Sequence, residues 1–164
     1  VKNDSIILAS GTTIHALACN IQPEGKLTVV SASLQATMSL SGNENIDIIQ
    51  LGGMLRHSSA SVVGQYSMEF LRGCSFSKLF LGVDGIDVDF GISTTDIREA
   101  ELNRAMMQAA QKTIVLADSS KFGRRGFAKI SGMEDIDTII TDAKIPHAVA
   151  KRIEEMGIDL IIAG

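Results

Sequence analysis

The 164 residues predict an α/β domain: one mainly parallel, twisted sheet with helices on both faces. Three observations carry that expectation. Short apolar runs alternate with helix-patterned segments along the chain. The apolar residues are Ile, Leu, Val, Ala and Met, with no Trp and only 4% aromatics, which suits strands buried on both faces. The first apolar run, Ile6-Ile7-Leu8-Ala9, breaks at Ser10-Gly11-Thr12-Thr13 directly into a helical stretch, the abrupt strand-to-helix turn of a parallel sheet.

Taken in order, Ile6–Leu8 is the first strand, and Ile14–Cys19 begins a helix that ends by Pro23. Leu27–Val30 is a second strand, rich in β-branched residues. Ser33–Ser41 reads as a helix with Leu34, Met38 and Leu40 roughly on one side, and Ile46–Leu51 as a strand stopped by Gly52-Gly53. Met54–Gly64 has loop character, and Ser67–Leu71 is a short helix. Lys78–Val83 is a strand, and Asp84–Thr95 has the composition of a loop or hairpin, punctuated by Gly85 and Gly91. Asp96–Gln111 is the strongest helix, with Asp96 and Glu99 spaced as a capping box and an apolar side of Ala100, Leu102, Ala105, Met106, Ala109 and Ala110. Thr113–Ala117 and Ile136–Asp142 are strands. Pro146 suits the start of a helix running to about Met156, with Gly157 as its stop. Ile158–Ile162 is the last strand.

The formal charge is −4, with acids and bases interspersed. No basic stripe of the kind that grips a phosphodiester backbone is present, so this chain alone is not expected to bind nucleic acid. Cys19 and Cys74 lie far apart without metal-ligand spacing and read as small buried hydrophobes in a reducing compartment. No signal peptide and no membrane-spanning run is visible, and a cytoplasmic location is expected. The chain opens on Val1-Lys2-Asn3-Asp4-Ser5, without an initiator Met, and Gly164 follows directly on an apolar run. Residues 1–164 therefore read as one domain cut from a longer polypeptide, with a further N-terminal module expected.

Several polar clusters follow directly on the apolar runs: Gly11-Thr12-Thr13, Ser31-Ala32-Ser33, Gly52-Gly53, Gly82-Val83-Asp84-Gly85 and Asp118-Ser119-Ser120-Lys121. In a parallel sheet with right-handed crossovers they converge on the rim formed by the carboxyl ends of the strands, where such sheets bind ligands. A strand that turns sharply into a helix at Ser10–Thr13 aims free N–H groups and the positive end of the helix dipole at an anion. The threonine hydroxyls add hydrogen bonds, and Lys121 adds a charge-assisted contact. Asp84 can accept from sugar hydroxyls. Together these groups suit a small anionic polyol. The plainer readings are an ordinary N-cap at Ser10–Thr13, solvated loop acids at Asp87 and Asp89, and a solvated basic turn at Arg124-Arg125. His15, His57 and His147 have no metal partners at ligand spacing, so neither a metal nor a cofactor is expected.

The same residues resemble the C-terminal effector-sensing domain of DeoR-type bacterial transcriptional regulators, over essentially the whole chain. The resemblance rests on Ser10-Gly11-Thr12-Thr13, Leu51-Gly52-Gly53, Ser61-Val62-Val63-Gly64, Phe80-Leu81-Gly82-Val83-Asp84-Gly85-Ile86, Ala117-Asp118-Ser119-Ser120-Lys121-Phe122-Gly123 and Ile139-Ile140-Thr141-Asp142, in that order and spacing. It implies a fold similar to the ribose-phosphate and glucosamine-phosphate isomerases and a phosphorylated sugar or related metabolite as effector. It further implies a homo-oligomer, and DNA binding only through an N-terminal helix-turn-helix domain that this chain lacks. It assigns Gly11, Thr12 and Thr13 to a phosphate cradle, Ser31 and Ser33 to the neighbouring strand end and Gly53 to a close approach of ligand. Asp84 and Gly85 stand where the isomerases keep an acidic loop, and Lys121 matches the family lysine. Glu101 aligns loosely with the isomerases' catalytic glutamate. Ala9, Ala32 and Asn103 depart from the family pattern, which often has Asp, Asn and a basic residue at those positions.

A non-enzymatic sensor of a transcriptional repressor is the expected function, with no catalytic residues. A sugar-phosphate isomerase is the alternative, and it would need a positioned base; the acidic loop here has Gly85 where a second acid would stand. A pure oligomerisation domain with a vestigial pocket is the third reading.

Overall fold

The computed structural model describes residues 3–164; Val1 and Lys2, the first two residues of the lead into the first strand, lie outside them. Seven strands form one sheet in which each neighbouring pair is parallel. They are β1 (Asp4–Leu8), β2 (Leu27–Ser31), β3 (Ile46–Gln50), β6 (Phe76–Gly82), β9 (Ala110–Leu116), β11 (Thr138–Asp142) and β12 (Asp159–Ala163), and their order across the sheet is β12-β11-β9-β6-β1-β2-β3. The chain thus winds outward from β1 in one direction through β2 and β3, then returns to β6 on the other side. This is the doubly wound arrangement, with its crevice between β1 and β6.

Side chains alternate across the pleat, so each strand feeds two cores. Ile6 and Leu8 of β1 pack on one face with Ile14 and Ala18 of α1 (Thr12–Asn20) and Ala36 and Leu40 of α2 (Leu34–Leu40). Ile7, Leu79, Leu81, Val115 and Ile139 pack on the other. There they meet Leu71 of α3 (Gln65–Arg72), Leu102 and Met106 of α4 (Ile97–Ala109) and Ile153 of α5 (His147–Glu155). Burial on both faces explains why the strands read as continuous apolar runs.

Four local expectations need correction. Met54–Gly64 is not a loop but an antiparallel hairpin, β4 (Met54–Arg56) with β5 (Ser61–Val63). Only β5 is buried and both strands are three residues long, too short for a visible period. In α2 the inward face is Ala36, Thr37 and Leu40, while Met38 is exposed, because Ser33 caps the helix and sets its phase. α4 stops at Ala109, and Ala110 already belongs to β9, where it pairs with Phe76. Cys19 is exposed on α1 and Cys74 is half-buried, so neither is a core residue.

Asp84–Thr95 forms the hairpin β7 (Gly85–Asp87) and β8 (Gly91–Thr94). A strand absent from the sequence reading, β10 (Ala128–Ser131), joins β8 antiparallel with a bulge. The two hairpin sheets stand beside the carboxyl ends of the central strands and supply the far wall of the site.

Candidate functional site

A cavity of about 300 Å³ opens at the β1/β6 crevice. Ser10, Gly11, Thr12 and Thr13 enter it from the end of β1, Gly82, Val83 and Asp84 from β6, and Ala117, Asp118 and Lys121 from β9. The size fits a small metabolite.

Gly11 is the N-cap of α1 at φ 112°, ψ 167°, and no side chain caps the helix. A β-carbon there meets no neighbour within 4 Å, so glycine is needed for the backbone angle and not for room. The leading N–H groups of α1 are left to a ligand or to water. On the opposite lip, Asp118 caps a short 3₁₀ turn (Ser119–Lys121) by accepting from Ser120 N and Ser120 Oγ, which holds its carboxyl below the usual range. Ser119 N donates to Asp142 Oδ2 at 2.7 Å, which ties the turn to β11. Lys121 is half-buried at the cavity, and among the described residues its ammonium has no hydrogen-bonded or ion-paired partner.

The remaining wall was not visible in the sequence. Arg56, Ser58 and Ser59 reach in from the β4–β5 hairpin, Thr94 and Thr95 from the end of β8, and Glu99 and Asn103 from α4. Arg56 Nη1 bonds Glu99 Oε1 at 2.6 Å, and its Nε lies 3.6 Å from Asp96 Oδ2. Thr94 Oγ1 lies 2.9 Å from Asp84 Oδ2 and 3.2 Å from Glu99 Oε2. One hydroxyl proton serves only one of these carboxylates at a time. The Asp96–Glu99 spacing read as a capping box, and half of it forms: Asp96 accepts from Arg98 N and Glu99 N. The Arg98 guanidinium, with those N–H groups and Arg56, pulls Asp96 down to about 2. Glu99 turns away from the helix terminus into the cavity.

The structure brings Gly11, Thr12, Thr13, Asp84 and Lys121 together; it does not bring Ser31, Ser33, Gly53 or Gly85 to the same cavity. Ser31 is fully buried and its Oγ accepts from Ser33 N at 3.0 Å. Ser33 is spent as the cap of α2, accepting from Ala36 N. A β-carbon at Gly53 would sit 2.4 Å from Val63 O, and one at Gly85 would sit 2.4 Å from Arg124 O. Both glycines therefore let chain segments of the protein itself approach. Ala9 and Ala32, where a polar family residue is often found, are core residues here.

Glu101 is exposed and lines a separate groove between α3 and α4, with Arg72 and Arg104. Two residues on a helix is more than half a turn, so Glu99 and Glu101 face different ways. Arg125 turns from the cavity to bond Asp87 at 3.0 Å and lies 5.3 Å from the centre of the Phe90 ring. That guanidinium draws the Asp87 carboxyl down to about 2, so Asp87 is more than a solvated acid. Asp89, which is exposed, pairs with Arg152 at 2.8 Å. His57 and His147 are exposed, and no group of three or more metal-ligating side chains occurs among the described residues. No helix among those residues is long and apolar enough to cross a membrane.

The family model described as the DeoR C terminal sensor domain matches residues 1–143. A putative aga operon transcriptional repressor of Escherichia coli O157:H7 is 35% identical over 97% of this chain and 59% of its own length. The glycerol-3-phosphate regulon repressor of Haemophilus influenzae is 27% identical over 96% of this chain and 61% of its own. The chain thus spans about three-fifths of the length of these curated relatives. Ribose 5 phosphate isomerase A from Neisseria gonorrhoeae superposes with a TM-score of 0.52 at 17% identity, covering 76% of this chain and 48% of that one, a likeness of fold.

Proposed function

This chain belongs to the DeoR C-terminal sensor domain family, and we propose that it is the effector-binding domain of a transcriptional repressor, with a phosphorylated sugar or related anionic metabolite as effector. The observation that carries the proposal is the meeting of the uncapped α1 N-terminus, Thr12, Thr13 and Lys121 in one cavity beside Asp84. The two relatives named as repressors support the regulatory role, and one of them controls a regulon named for a phosphorylated polyol.

The phosphate sits at the head of α1, where N–H groups and the helix dipole favour it, and Lys121 supplies the counter-charge. The sugar portion faces Asp84, Thr94 and Glu99. DNA is bound by a helix-turn-helix domain on the N-terminal side of this one in the longer protein, which acts in the cytoplasm as a homo-oligomer. The exposed apolar Ile161 and Ile162 on the edge strand β12 support self-association. Ligand can switch the protein only by binding one arrangement better than another. The β4–β5 hairpin is the element placed to respond, because Arg56, Ser58 and Ser59 line the cavity from it.

The domain works without catalysis. Among the groups at the cavity, Glu99 is held by Arg56 and by Thr94, which does not suit a free base.

A thermal scan with a panel of sugar phosphates tests the reading. A ligand at a hundred times its dissociation constant stabilises by about 2.7 kcal/mol, and Lys121→Ala removes most of that gain. No shift with any phosphate ester leaves a vestigial pocket. Interconversion of aldose and ketose phosphates, abolished by Asp84→Asn, restores the isomerase.

A further inference from the structure

The charged groups of the cavity lining do not balance. Its lining carries two cations, Arg56 and Lys121, and three anions, Asp84, Glu99 and Asp118. Arg56 is already committed to Glu99 at 2.6 Å and to Asp96. Asp118 turns its carboxylate into its own capping turn. Asp84 is left with one neutral donor, the Thr94 hydroxyl, which it shares with Glu99, and among the described residues no cation pairs with it.

Asn103 is a second, independent sign of a ligand at this cavity. It lines the cavity one helical turn beyond Glu99 and is only 9% exposed. Among the described residues its side-chain amide has no hydrogen-bond partner within the protein, and it opens onto the cavity, where it offers one carbonyl acceptor and one N–H2 donor group. Its carbonyl oxygen, the Asp84 carboxylate and the free lone pairs of Glu99 accept here, and the Asn103 N–H2 donates but brings no charge to set against Asp84. A phosphate ester brings a further charge of about −1.5 to −2 into this lining. A neutral sugar leaves the charge of the exposed Asp84 to solvent and the Thr94 hydroxyl. A protonated amine supplies three N–H donors and the missing positive charge.

We infer that the effector is a phosphate ester that also carries a protonated amine, such as a phosphorylated amino sugar. Its phosphate lies against the α1 N-terminus and Lys121, and its ammonium lies among Asp84, Glu99 and Asn103. The inference rests on the proposed phosphate site and adds the chemistry of the groups around Asp84.

Calorimetric titration of the domain in low salt with EDTA present tests it. The probes are glucose 6-phosphate and glycerol phosphate, their amine counterparts glucosamine 6-phosphate and 2-aminoethyl phosphate, and N-acetylglucosamine 6-phosphate, which keeps the bulk and loses the charge. The better amine-bearing probe is expected to bind about tenfold more tightly than its hydroxyl counterpart, the discrimination of one charge pair in a half-open cavity. Asp84→Asn, which keeps the shape of an exposed side chain, is expected to reduce that margin below about twofold. Equal binding of amine and hydroxyl members, tighter binding of the N-acetylated probe, or a margin that survives in Asp84→Asn overturns the amine assignment and leaves the phosphate site standing. Failure of every phosphate ester to bind overturns both.

Discussion

Arg56 on the β4–β5 hairpin and Glu99 on the first turn of α4 are joined at 2.6 Å, and both are more than four-fifths buried at the rim of the cavity. The bond fastens the hairpin to α4, the longest helix among the described residues. It also removes one cation and one anion from the free charges that a ligand meets.

Arg56→Ala is expected to cost about 1.5–3 kcal/mol, the range for a hydrogen bond to a charged group. Glu99→Gln keeps a polar partner and should cost less. Urea unfolding of the two single variants and the double variant measures the coupling, and additive losses would show that the pair is not a stabilising unit.

Gly11→Ala forces a β-carbon onto a residue at φ 112°. The expected penalty is about 1–2 kcal/mol of stability. Because the space around the residue is open, the loss should appear also as weaker binding of inorganic phosphate, as the N–H groups of α1 shift. A variant as stable as the parent, with unchanged phosphate affinity, would remove Gly11 from the cradle.

Ile7 is fully buried at the centre of the sheet, in contact with the α3–α4–α5 face. Ile7→Ala is expected to cost about 2–5 kcal/mol. Hydrogen exchange should show the loss spread over the sheet, whereas Met38→Ala, at a residue 72% exposed, should change stability by less than about 0.5 kcal/mol.

Asp87 and Asp96 both have carboxyls held near 2, by Arg125 and by Arg98 respectively. A folded-state value below the unfolded one, about 3.9, means that the unfolded chain binds protons first as pH falls. The stabilisation is complete above about pH 5 and is lost progressively as pH drops through 4 toward 2. Melting temperature should fall over that window, and the fall should be shallower in Asp87→Asn and in Asp96→Asn. An unchanged slope in both variants would show that other carboxylates govern the acid limb.

The sequence was legible where one residue type had one physical use. Ile6–Leu8, Leu27–Val30 and Lys78–Val83 are apolar because both faces of the sheet are covered, and each became a central strand. Ser10–Thr13 read as a strand-to-helix turn or a plain N-cap, and the structure makes Gly11 the N-cap of α1, while Asp118–Lys121 kept its place at a strand end. The misreadings fell where a residue had two possible uses. Ser31 and Ser33 stand at a strand end like the cradle residues but are consumed by the turn and the cap of α2. Gly53 and Gly85 look like glycines that admit a ligand and instead admit Val63 and Arg124. Glu99 looked like half of a capping box and became the partner of Arg56.

Apolar runs alternating with helical patterns, and the turn chemistry between them, determined a mainly parallel sheet with helices on both faces and the strand ends proposed to hold a small anion, because both depend on neighbours along the chain. Only the tertiary structure decided the opposite wall: the hairpin that carries Arg56, the face of α4 that carries Glu99 and Asn103, and Thr94 between two carboxylates. Those residues are brought together by the packing of elements distant in sequence, and pairings of that kind leave no local period to read.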